Sequence, residues 1–172
     1  MTELTDEEIL RDLDLMRGDT NMYIQRVSDF IRQNPDSPDG YFRRYQAWEH
    51  LGRPDLALED ITRSLELEEH WVVFQARGCV YRQLGDYQSA LRDYNRAAQL
   101  DREDWLHSPG PLFRADCHAH LGDEAAALAD CALLRNDHWT PGLSGAPAGS
   151  KAEVIEAVRY IAAVARQRQQ GG

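Results

Sequence analysis

The stretch WVVFQARGCVYRQLGDYQSALRDYNRAAQLD, from Trp71 to Asp101, decides the fold. Phe74, Gly78 and Tyr81 recur at i, i+4 and i+7, a helical spacing. After a break at Leu84-Gly85-Asp86, the residues Tyr87, Ala90, Leu91, Tyr94, Ala97 and Ala98 repeat that periodicity. A glycine just past an apolar helical run supplies the left-handed residue that ends a helix, and Asp86 can cap the next one. Ala90 is small where two helices must approach closely, and Tyr94 is large one turn later. The stretch reads as two helices of similar length folded back on each other.

Its pattern, F-x2-R-G-x2-Y from Phe74 to Tyr81 and A-x3-Y from Ala90 to Tyr94, resembles one tetratricopeptide repeat. Phe stands for the usual Trp and Arg77 for the usual Leu. Working outward, Gly18, Gly52, Gly85 and Gly122 are 34, 33 and 37 residues apart, against a tetratricopeptide period of about 34. Leu precedes three of these glycines (Leu51, Leu84, Leu121), and Asp follows three (Asp19, Asp86, Asp123). The resemblance implies an all-α, right-handed α-solenoid of helix-turn-helix repeats with a C-terminal capping helix. The whole chain, 1–172, is then one domain with repeats at about 4–37, 38–70, 71–104 and 108–141.

The first repeat is degenerate: Thr5-Asp6-Glu7-Glu8 forms a capping box, but the signature aromatics of a first helix are missing. The fourth begins at Pro109-Gly110-Pro111, so its first helix starts late. Three extra residues in DREDWLHSPG must bulge out or lengthen a helix. Residues 136–150, rich in Gly, Pro and Ser, read as a linker, and 151–168 as an amphipathic capping helix carrying Val154, Val158, Ile161 and Ala165 on one face.

Composition bounds the function. The formal net charge of -10 argues against nucleic acid and anionic membrane as main partners and permits a basic one. No run reaches the roughly 18 apolar residues that would span a bilayer, and the acidic N-terminus does not read as a signal peptide. Cys79, Cys117 and Cys131 each fall in a predicted helix with no C-x-x-C pair, which suggests buried reduced thiols and a cytoplasmic protein. Lys151 is the one lysine, pointing to a GC-rich, bacterial genome.

Asp116-Cys117-His118-Ala119-His120 puts four metal-capable side chains in five residues. On a helix, however, i and i+2 point roughly 200° apart. His118 therefore reads as a core ring at the repeat's aromatic position, and His120 as a surface residue. No nucleophile, phosphate loop or H-E-x-x-H pattern accompanies them, so no metal, cofactor or enzymatic activity is expected.

What remains is a binding surface. In tetratricopeptide arrays, helical positions 2, 5, 9 and 12 of each repeat line a concave groove. The resemblance places there Glu8, Asp12 and Leu15; then Asp39, Phe42, Gln46 and Glu49; then Val72, Gln75, Cys79 and Arg82; and finally Pro109, Leu112, Asp116 and Ala119. Phe42, Val72 and Leu112 are apolar where repeat packing does not demand it, unless a loop or the C-terminal helix covers them. The expected partner is a protein or peptide with apolar anchors and net positive charge. A two-carboxylate clamp of Lys, Asn and Arg is not expected, because Phe42, Gln46, Gln75 and Ala76 stand in its places. Two alternatives stay open. PGPLFRADCHAHLGD, ending at Asp123, is similar to a repeat of the class II chaperones of type III secretion. An acidic immunity protein that neutralises a basic toxin also fits size and charge. The repeat alignment itself is testable: Ala90→Leu should overpack the helix pair and cost about 1–3 kcal/mol, seen as a lowered Tm.

Overall fold

The computed structural model of the chain describes residues 18–134, 143 and 149–171. Among them, every regular element longer than one residue is a helix. The chain divides into two compact units, Met1–Glu69 and His70–Gly172.

In the first unit, α1 (Thr20–Gln33), α2 (Pro38–His50) and α3 (Pro54–Leu67) follow one another. The Asp19 carboxylate accepts from the Met22 N–H at 3.0 Å and so opens α1. Pro38 and Pro54 sit in the first turns of α2 and α3, where a missing N–H costs nothing. Tyr23, Ile24, Val27 and Ile31 of α1 bury against Ala47, with Tyr41 and Trp48 packed beside them.

The second unit holds α4 (Trp71–Gln83), α5 (Tyr87–Leu100), α6 (Arg102–His107), α7 (Gly110–His120), α8 (Glu124–Leu133) and α9 (Lys151–Gln170). The turns α2–α3, α4–α5 and α7–α8 are closed by Gly52, Gly85 and Gly122 at φ of 65°, 79° and 82°, the left-handed region a Cβ disfavours. Asp86 and Asp123 then cap α5 and α8, each accepting a backbone N–H at 3.0 Å. Ala57, Ala90 and Ala127, the small positions of the three second helices, are fully buried, as the spacing predicts. The fold class is that expected from the sequence: all-α helix-turn-helix pairs followed by a C-terminal helix.

The three extra residues neither bulge nor lengthen a helix. Asp101 ends α5 and also accepts from the Asp104 N–H at 3.0 Å, starting the separate six-residue α6. That turn drives Trp105 to complete burial, with the Arg114 guanidinium 4.6 Å from its ring centroid. Ser150 and Glu153 form a capping box at the start of α9, which runs two residues beyond the expected 168. Val154, Val158, Ile161 and Ala162 of α9 pack with Leu112, Ala115 and Ala119 of α7, Ala127 and Cys131 of α8, and Leu143.

One feature recurs in every described pair and escaped the sequence reading. Arg44 meets Asp60, Arg77 meets Asp93 and Arg114 meets Asp130, each 16 residues on, first helix to second. All three are two-pronged: Arg77, for example, donates from Nε and Nη2 to the two Asp93 oxygens, both at 2.8 Å. The aspartate side chains are only 4–6% exposed. The hydrogen bond to Asp93 raises the Arg77 pKa against the opposing effect of burial, and Asp60 takes a third donor from Trp48 Nε1 at 2.9 Å. Removing one partner of such a pair strands a buried charge. Arg77→Met should therefore cost roughly 3–5 kcal/mol in urea denaturation, whereas Arg77→Met with Asp93→Leu should recover most of that loss.

Candidate functional site

The first-helix residues expected to face a partner divide into three groups. Glu8, Asp12 and Leu15 lie outside the described residues. In the first unit, Asp39 accepts from Arg43 Nε at 2.8 Å. Phe42 is half-buried with its ring 5.6 Å from that of Tyr45, whose hydroxyl donates to Glu49 at 3.2 Å, and Gln46 is exposed. In the second unit Val72 is 36% exposed, and Gln75 and Cys79 are half-buried. The Tyr94 hydroxyl lies 3.5 Å from Cys79 Sγ.

The fourth repeat departs from expectation. Leu112, Asp116 and Ala119 are 1%, 0% and 0% exposed, so none lines an open surface. The reason is distant in sequence: the apolar stripe of α9 must be buried and takes Leu112 and Ala119 into its core. Asp116 is not a rim charge either, because Arg82 Nη1 donates to its Oδ2 at 2.8 Å. Arg82 is correspondingly no free groove cation. Burial is the largest single influence and opposes its charge, but the hydrogen bond to Asp116 together with the nearby Tyr94, Asp116 and Cys79 groups raises its pKa, and its guanidinium covers the Phe113 ring at 4.5 Å. Pro109 remains exposed.

The Asp-Cys-His-Ala-His cluster resolves into separate roles. His118 Nε2 lies 3.9 Å from Asp130 Oδ2, beside the Arg114 pair, with its side chain 21% exposed. His120 is not the surface residue the spacing suggests. It stacks on Tyr87 at 4.3 Å and 3°, its Nε2 3.5 Å from Asp116 Oδ1. Among the described residues, no group of three His, Cys, Asp or Glu is placed to hold a metal ion. Burial pushes the Cys131 thiol up to about 11 and the Cys117 thiol higher still, so both stay protonated near neutral pH.

A polar network near α4 was also invisible in the sequence. Ser108 Oγ, in the α6–α7 connection, lies 2.7 Å from Gln75 Oε1 and 2.7 Å from the Trp105 carbonyl, and it accepts from the Gly110 N–H at 3.0 Å. The insertion that creates α6 was legible by length; its reach back to Gln75 was not.

Residues 72–104 match the family model of the tetratricopeptide repeat, and the three helix pairs share its turn glycines and small second-helix alanines. Residues 72–104 are a tetratricopeptide repeat, and the chain is similar in fold to tetratricopeptide repeat proteins. Human tetratricopeptide repeat protein 13 is 28% identical over 76 residues, which are 44% of this chain and only 9% of that relative. Among solved structures, YrrB, described as a TPR protein with an unusual peptide-binding site, aligns over 92% of this chain and 74% of its own, at 15% identity and a TM-score of 0.65. MamA aligns over 76% and 72% at 14% identity and a TM-score of 0.65. The C-terminal part of a repeat protein from Cytophaga hutchinsonii aligns over 90% and 58% at 17% identity and 0.64. These likenesses are of fold. Tetratricopeptide repeats form protein–protein interaction scaffolds for protein or peptide partners and are generally non-catalytic. No described helix is long and apolar enough to cross a membrane.

His118 gives this region a pH dependence. Burial lowers its pKa, with Asp130 opposing, so the folded chain takes up a proton less readily than the unfolded one. Its contribution is complete above the ordinary imidazole value of about 6.5 and is lost as pH falls through the lowered value. Denaturation at pH 7.5 and 5.5 should show a stability drop that is smaller in His118→Gln.

Proposed function

We propose that this tetratricopeptide protein binds a basic protein or peptide through the faces of its first helices. Each unit offers its own face: Phe42, Gln46 and Glu49 on α2 in the first unit, and Val72, Gln75 and Cys79 on α4 in the second. The disposition of charge supports the reading. Arg44, Arg77, Arg82 and Arg114 turn their guanidinium groups onto Asp60, Asp93, Asp116 and Asp130 within the fold. Arg43 is held by Asp39. The first-helix faces are thereby left apolar, neutral or acidic in a chain of net charge -10. Apolar side chains would anchor a partner and supply most of the affinity, while Glu49 would steer its approach. Peptide binding of the kind named for YrrB fits the same use of the fold. A cytoplasmic working place fits three cysteines that form no disulfide, two of them buried.

A displayed library of random peptides, panned on the immobilised full chain, tests this. Selected sequences should carry Arg or Lys around an apolar anchor. Phe42→Ala should weaken them by more than about 1 kcal/mol, mainly through faster dissociation. Glu49→Lys should slow association, an effect that shrinks as salt rises. Peptides indifferent to Phe42 and Val72 but lost on Arg63→Glu or Arg92→Glu would move the site to the second helices.

A further inference from the structure

We infer that a second face of α9 is a self-association surface, on which another copy of this chain pairs antiparallel to form a weak two-fold dimer. The core-facing stripe of α9 is filled by Val154, Val158, Ile161 and Ala162. Beside it runs another stripe, through Glu153, Ala157, Tyr160, Val164 and Arg168, at spacings of four, three, four and four residues. At about 100° per residue these five fall within roughly 80° of one another, centred roughly 120° round the helix from Val158. Alternating spacings of four and three are those of a seam along which two helices pack. Ala157 and Val164 are half-buried, whereas Tyr160 is 72% exposed, more than any other large apolar side chain among the described residues. An aromatic ring left in water between two apolar neighbours marks a face that gains by being covered.

Charge identifies the occupant. Glu153 and Arg168 close the two ends of the stripe. The Ser150 N–H and hydroxyl donate to Glu153 Oε2 at 2.7 and 2.8 Å and hold its pKa below the usual carboxylate range, so it is charged at neutral pH. The other cations of α9 are engaged within the unit. Arg166 pairs with Glu124 at 2.8 Å, Arg159 lies 4.0 Å from the same residue, and Lys151 donates to the Leu134 carbonyl at 2.7 Å. Arg168 is exposed and meets no acid among the described residues. An antiparallel copy whose two-fold passes between residues 160 and 161 sets Glu153 opposite Arg168 and Ala157 opposite Val164, each twice, and brings the two Tyr160 rings together at the centre. A parallel copy would set acid on acid and base on base. The stripe therefore carries its own complement in reverse order, which is what an isologous partner requires. With three apolar side chains from each copy, the contact is smaller than the roughly 1,200–2,000 Å² of a stable interface, so the dimer forms and parts with concentration.

Sedimentation equilibrium of the full chain from about 5 to about 500 μM tests this. The weight-average mass should climb from 19.6 kDa toward twice that value. Tyr160→Glu should hold the chain at the monomer mass with an unchanged Tm. Arg168→Glu should weaken association about fivefold at low salt, an effect that shrinks as salt rises. Oxidative crosslinking fixes the geometry, in a Cys79→Ser background because Cys117 and Cys131 are buried. Tyr160→Cys should give a disulfide-linked dimer. Gln167→Cys should not, because an antiparallel copy holds its counterpart roughly 20 Å away along the helix axis. A monomer throughout the concentration range would overturn the inference. So would association that survives Tyr160→Glu, which would place the contact elsewhere, or crosslinking at residue 167 in place of 160, which would mean a parallel pair.

Discussion

The two-pronged bond between a first-helix arginine and a second-helix aspartate is the constraint on which each described helix pair depends. Taking both charges out of water is expensive, and their attraction repays it only in good geometry. Two parallel N–H to oxygen bonds near 2.8 Å, as at Arg77 and Asp93, exist in a single register of one helix against the other. A slip of one turn would leave a carboxylate with 4–6% exposure and no donor. Apolar packing of alanine against aromatic rings tolerates several registers; the ion pair does not. Each pair thereby favours one alignment of its two helices, with an arginine at Arg77 where the repeat signature has a leucine.

The surroundings of each pair are built to serve it. Asp60 takes donors from Arg44 and Trp48, and Arg44 also reaches Ser28 of α1, so one aspartate helps order three helices. In the second unit Arg77 lies over the Phe74 and Tyr81 rings and Arg114 over Trp105. The guanidinium stems and planes thus complete an apolar layer while their nitrogens satisfy the buried acid. Arg82 and Asp116 apply the same chemistry between successive first helices, α4 and α7.

What was legible in the sequence was local. Turn glycines, capping aspartates and small second-helix alanines act over a few residues, and Gly52, Gly85, Gly122, Asp86, Asp123, Ala57, Ala90 and Ala127 take the conformations and burial that their spacing implies. What was not legible joined distant segments. Leu112 looked like a groove residue because its position in the repeat is one; α9, some 40 residues on, makes it core. Asp116 looked like a rim charge until Arg82, 34 residues earlier, claimed it. His120 looked exposed because nothing nearby in sequence predicts the Tyr87 ring against it. The arginine–aspartate spacing of 16 was available in principle, since Arg44, Arg77 and Arg114 repeat with the same offsets as the glycines. A signature that treats Arg77 as a departure hides it.

The same pairs bear on function. A chain with 19 basic and 29 acidic residues could present arginines on its first helices and attract acidic partners. Here the described first-helix arginines are drawn to aspartates, so the fold itself removes positive charge from the first-helix faces. The fourth repeat carries that logic to its end: Asp116 is neutralised by Arg82, and α9 removes Leu112 and Ala119 from reach. In the second unit this shifts the open first-helix surface back to α4. There α6 and the Ser108 that follows it, where the repeat spacing lengthens to 37 residues, lie against Gln75. An insertion that only connected repeats would need no buried tryptophan and no hydroxyl turned onto a neighbouring helix. The burial of Trp105 anchors the segment and places the Ser108 hydroxyl 2.7 Å from both the Trp105 carbonyl and Gln75 Oε1.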